Sequence, residues 1–83
     1  MKLNILYFAR LKDSFGMGSE QLETDAASVD ELLTELRQRG DNWSCELAAG
    51  KAFRVARNQE LVRLDAALGD GDEIAIFPPV TGG

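Results

Sequence analysis

Apolar and polar positions alternate from the first residues of the chain. Leu3, Ile5 and Tyr7 interleave with Asn4, Leu6 and Phe8, the two-residue period of a strand over 2–8. Leu6 and Phe8 fall on the face opposite Leu3 and Ile5, so this strand is apolar on both sides. Phe15-Gly16-Met17-Gly18 predicts a turn, and the polar run 20–24 predicts an edge-like strand returning as a hairpin. At Ser28 the period changes. Ser28-Val29-Asp30-Glu31 is a capping box, in which the Ser28 hydroxyl accepts from the Glu31 N–H and Glu31 reaches back. Val29, Leu32, Leu33 and Leu36 then form one apolar stripe, predicting a helix over 29–39 that stops at Gly40.

Trp43 and Leu47, four apart, predict one helical turn over the core. A short strand is expected over 53–56, a turn at Asn58-Gln59 and a brief return strand at Leu61-Val62. Arg57 shares the parity of Phe53 and Val55, so either the strand ends at Ala56 or Arg57 reaches solvent. Leu68-Gly69-Asp70-Gly71-Asp72 is a turn cluster, and 73–77 is the last strand. The expected architecture is α+β, a mixed sheet packed on one main helix in two layers, in the β-grasp, ubiquitin-like order. Residues 1–78 form the domain and 79–83 an extended tail. Only one face of such a sheet meets the helix. Phe8 and Phe77, with Leu61 beside them, are therefore expected on the other face as a partner-binding patch, unless residues 41–50 fold over it.

Composition narrows the chemistry. The 83 residues contain no histidine and one cysteine, Cys45. That inventory excludes a Ser-His-Asp triad, a Cys-His pair, a histidine metal cluster and a CxxC motif. Asp70, Asp72 and Glu73 are explained as a turn rather than a cation site, because the spacing departs from calcium loops. A net charge of −5 without a basic cluster argues against nucleic acid or an anionic membrane as partner. The N-terminus has no signal-peptide pattern, and no apolar run is long enough for a bilayer, so the expected location is the cytoplasm.

The C-terminus offers a reactive group that a side-chain census omits. Phe77 is followed by Pro78-Pro79-Val80-Thr81-Gly82-Gly83. The prolines stop the strand and stiffen the exit. Gly82 and Gly83 have no Cβ and fit a slot closed to other residues, at whose end only an α-carboxylate arrives.

This tail resembles that of the small, sulfur-carrying subunit of molybdopterin synthase, the MoaD family. Leu6-Tyr7-Phe8-Ala9-Arg10, Ser28-Val29-Asp30-Glu31-Leu32, Asn58-Gln59-Glu60-Leu61-Val62 and Leu68-Gly69-Asp70-Gly71-Asp72-Glu73 also look like family features. Arg57 departs from the apolar residue that the family pattern implies. The resemblance implies that an E1-like enzyme adenylates Gly83 with Mg-ATP and that a sulfur donor protein then converts it to a thiocarboxylate. It implies delivery of that sulfur to cyclic pyranopterin monophosphate on a large subunit, which supplies the catalytic side chains. Gly82 gives steric access, and Phe8, Leu61, Phe77, Pro78, Pro79, Val80 and Thr81 meet the partner. On this reading the chain is a non-catalytic subunit with no permanently bound cofactor. The same fold and terminal glycines also admit a carrier for thiamine thiazole or amino-acid sulfur delivery.

Overall fold

A computed structural model describes residues 1–48 and 52–79. The elements run β1 (Lys2–Tyr7), α1 (Ala9–Phe15), β2 (Ser19–Glu23), α2 (Val29–Arg37), α3 (Asp41–Glu46), β3 (Arg54–Arg57), β4 (Glu60–Leu61) and β5 (Glu73–Phe77). The strands form one mixed sheet in the order β2-β1-β5-β3-β4. β1 lies parallel to β5, and the other pairs are antiparallel. The fold is therefore the expected α+β arrangement, with helices on one side of the sheet.

The two-residue period of β1 sends Leu3, Ile5 and Tyr7 into the core, where they meet Val55, Ile74 and Ile76 from the same sheet face. α2 closes that core with Val29, Leu32, Leu33 and Leu36, all fully buried. Its start follows the capping box: Glu31 N donates to Ser28 Oγ at 3.3 Å, and Ala27 N donates to Glu31 Oε1 at 3.0 Å. The next free amides are satisfied from further along the chain. Val29 N donates to the Ala66 carbonyl and Asp30 N to the Leu64 carbonyl, at 3.0 and 2.8 Å. The regular helix ends at Arg37. The last turn tightens, with Gln38 N bonding Glu35 O and Arg39 N bonding Leu36 O, before Gly40 begins α3.

The link from β1 to β2 is not the simple turn predicted over 15–18. β1 stops at Tyr7, Phe8 caps the next element, and Ala9–Phe15 is a helix. Leu11 and Phe15 are its only buried residues, four apart, and so short a helix depends on what it packs against. Gly16 closes it at φ 72°, donating its N–H to Lys12 O, a conformation glycine adopts without a Cβ penalty. The strands that follow and precede this helix pair as the hairpin expected.

α3 is the helical turn expected at Trp43 and Leu47 and belongs to the same layer, so with the unexpected α1 the helical side holds three helices around the one main helix. Trp43 stacks on Phe15, ring centroids 3.8 Å apart and planes at 1°, and meets Tyr7 edge-on at 5.5 Å. The Arg39 guanidinium lies 4.7 Å from the Trp43 ring centroid. Arg39 also grips Glu20 through both carboxylate oxygens, at 2.7 and 2.9 Å, and Glu20 accepts from the Tyr7 hydroxyl at 2.6 Å. Burial, and then the bond to Glu20, push the Tyr7 phenol well above its ordinary pKa. Burial works against ionisation of Glu20, but hydrogen bonds from Arg39 and Tyr7 prevail and hold its carboxyl below the usual range. One buried aromatic cluster thus ties β1, β2, α1, the end of α2 and α3 together.

Arg57 resolves the open question of β3. It remains in the strand, paired with Ile74 and Glu60, and its guanidinium donates to the Ala67 carbonyl. A polar residue is accommodated on a core-side position because the 64–68 segment offers it a backbone acceptor. The β3–β4 turn is Asn58-Gln59 as predicted, both residues at positive φ (52° and 73°), as a two-residue hairpin requires.

Candidate functional site

The face of the sheet away from the helices carries the residues of opposite parity. Register places Leu6 beside Ala75, Ala75 beside Ala56, and Ala56 beside Leu61, one apolar row across four strands. Leu61 is 67% exposed and Phe8 46% exposed, while Leu6, Ala75 and Phe77 are partly covered. Phe8 and Phe77 pack edge to face with centroids 6.4 Å apart, and Phe8 N donates to the Ile76 carbonyl at 3.3 Å. Asp41–Leu47, which could have covered this patch, packs instead with α1 and α2 on the core side, where Trp43 and Leu47 are buried. The expected grouping of Phe8 and Phe77 is present. Leu61 stands two strands from β5 in the adjoining row. Ala56 was missed, although its parity opposite Val55 signals it.

Phe77 is the last residue of β5, so this patch ends where the chain leaves the sheet. Pro78 and Pro79 are half-buried at that exit. Val80, Thr81, Gly82 and Gly83 lie outside the described residues.

The acidic turn at the other end of β5 is a structural lock. Asp72 accepts from Gly69 N at 2.8 Å and from Asn58 Nδ2 at 3.0 Å, while Asn58 Oδ1 accepts from Glu73 N at 3.0 Å. Asp70 accepts from Lys2 N at 2.7 Å. The Asn58 and Gly69 donors hold the Asp72 carboxyl below its ordinary pKa. These oxygens are committed to joining the β3–β4 turn to the starts of β1 and β5. Among the described residues no group of three His, Cys, Asp or Glu side chains is placed to hold a metal ion. Nor is any helix among them long and apolar enough to cross a membrane. Cys45 is exposed on α3, away from this face.

The family model described as "ThiS family" matches residues 5–83. The chain is 47% identical to the molybdopterin synthase sulfur carrier subunit of Haemophilus influenzae, over 98% of this chain and 99% of that one. Among solved structures it is similar to SAMP1 from Haloferax volcanii, with a TM-score of 0.84, 28% identity and full coverage of both chains. It is also similar to a chain in the complex of subunits 1 and 2 of the molybdopterin-converting factor from Helicobacter pylori 26695. There the TM-score is 0.69 and the identity 27%, again with full coverage of both. Whole-length sequence similarity and a shared ubiquitin-like β-grasp architecture place this chain in the ThiS family.

Proposed function

We propose that this chain is the sulfur-carrying subunit of a molybdopterin synthase. The observation that carries this reading is its end-to-end similarity, at 47% identity, to the Haemophilus influenzae carrier subunit. The apolar face running up to the tail's root supports it, since such a patch suits a protein partner.

The chemistry needs no side chain from the carrier. A carboxylate is a poor electrophile because oxide is a poor leaving group. An E1-like partner, using Mg-ATP, lets the Gly83 carboxylate attack the α-phosphorus and expels pyrophosphate. Sulfur at the sulfide level from a donor protein then adds to the acyl carbon, and AMP leaves. The resulting thiocarboxylate stays ionised at neutral pH and is the softer nucleophile. Phe8, Leu61 and Phe77 seat the domain on the large subunit, and Pro78, Pro79, Val80 and Thr81 lead the tail inward. Gly82 and Gly83 bring the sulfur to cyclic pyranopterin monophosphate. Two such transfers build a dithiolene, with catalytic side chains supplied by the large subunit. All of these partners are cytoplasmic in this reading.

The test is reconstitution of thiocarboxylated chain with a molybdopterin synthase large subunit and the pyranopterin substrate. Dithiolene formation is expected, and the chain lacking Gly82 and Gly83 is expected to give none. A thiocarboxylated chain that forms a complex yet yields no dithiolene would favour a carrier for thiazole or amino-acid sulfur delivery.

A further inference from the structure

The part of the open face nearest the tail is not wholly apolar. Register sets Arg54 beside Phe77 across β3 and β5. The Ala56–Leu61 pairing continues one step past β4, where Val62 N donates to the Val55 carbonyl at 3.1 Å. Side chains alternate along a strand, so Arg63 shares the face of Leu61 and comes to lie beside Arg54. Phe8, Phe77, Arg54 and Arg63 thus form a second row, next to the Leu6, Ala75, Ala56 and Leu61 row and closer to the tail.

Two features set this arginine pair apart. Like charges opposite each other on neighbouring strands repel, and both arginines are exposed. Among the described residues neither takes part in an ion pair, whereas Arg10 holds Glu46 and Arg39 holds Glu20. Arg37 and Arg57 are also tied within the fold, to the Leu47 and Ala67 carbonyls. The second feature is that the face is electrically uneven. Glu73, on the same face as Ala75, begins β5 about 13 Å from Phe77 at ~3.3 Å per residue, with Asp70 and Asp72 in the turn before it. A chain of net charge −5 therefore concentrates positive charge where its tail leaves the sheet.

We infer that Arg54 and Arg63 pair with carboxylate side chains of the large subunit and set the orientation in which the carrier docks. The inference rests on the carrier reading above and adds the chemistry of the partner's surface, an acidic rim beside the apolar seat of Phe8 and Phe77. Apolar contact alone is non-directional. Cations at one end of the face and carboxylates at the other fix a single direction, because the reversed arrangement sets Glu73 against the partner's own carboxylates. That direction delivers Pro78 and the residues after it to the slot. Guanidinium groups suit the task, since each pairs with a carboxylate through two hydrogen bonds.

The test is stopped-flow association of the full chain with the large subunit of the same organism, over a range of salt concentrations. Association of the unaltered chain is expected to slow as salt rises. The Arg54→Glu/Arg63→Glu variant should associate at least ~10-fold more slowly at low salt and no longer slow with added salt. The Arg54→Lys/Arg63→Lys variant keeps the charge and should associate at close to the unaltered rate. Arg63→Glu alone sets opposite charges across the two strands, so the Tm of this free domain should not fall. A lower Tm would show that Arg63 serves the fold, and would overturn the inference. So would association that ignores salt, or a charge-reversed variant that associates as fast as the unaltered chain. If the large subunit still binds in those two cases, the carrier reading stands. An unaltered chain that does not bind the large subunit at all would overturn both.

Discussion

Phe77→Asp weakens binding to the large subunit by ~30-fold or more, the loss expected when a central aromatic anchor worth about 2 kcal/mol is removed. The ring is half-buried against Phe8 on the open face and is no part of the core on the other side. A carboxylate there meets solvent in the free domain and an apolar surface in the complex, where its desolvation goes uncompensated. Thermal unfolding of the free variant should shift little. Calorimetric titration against the large subunit checks this. Leu61→Asp serves as a second variant, since Leu61 is 67% exposed and its replacement cannot open the core. Unchanged affinity in both variants would remove this face from the interface.

Trp43→Ala has the opposite profile. Trp43 is 7% exposed, stacked on Phe15 and bounded by Tyr7 and Arg39. Truncating a buried tryptophan costs about 3–5 kcal/mol, a large part of the ~5–15 kcal/mol available to a small domain. Scanning calorimetry should show Tm lower by ~12 °C or more, from ~4–8 °C per kcal/mol at this size. The loss should exceed simple cavity formation, because Arg39 forfeits its aromatic platform while remaining tied to Glu20. A shift below ~5 °C would mean that α1 and α3 are not held by this stack.

These two residues mark where the sequence was and was not legible. Phe77 was placed on the open face by parity, because strand faces follow a strict two-residue period. α2 was legible through its cap and apolar stripe, both local signals. α1 offered only Leu11 and Phe15 among charged neighbours, and its helicity comes from the contact of Phe15 with Trp43, distant in sequence. Arg57 read as a conflict because its acceptor, the Ala67 carbonyl, is supplied from another segment. Arg54 and Arg63 are brought together only by the register of the β3–β4 hairpin, so no local pattern announces them. The tail is the reverse case, since Pro78 to Gly83 is contiguous and the chemistry proposed for it resides in the main chain.

The central claim is that the reactive group of this chain is the Gly83 carboxylate rather than any side chain. Intact-mass and fragment-ion analysis tests it most directly, after incubation with the adenylating enzyme, Mg-ATP and a sulfur donor. The expected result is exchange of one oxygen for sulfur, located at Gly83 and absent when ATP is omitted. Sulfur carried on Cys45 instead, with the Gly83 carboxylate unchanged, would contradict it.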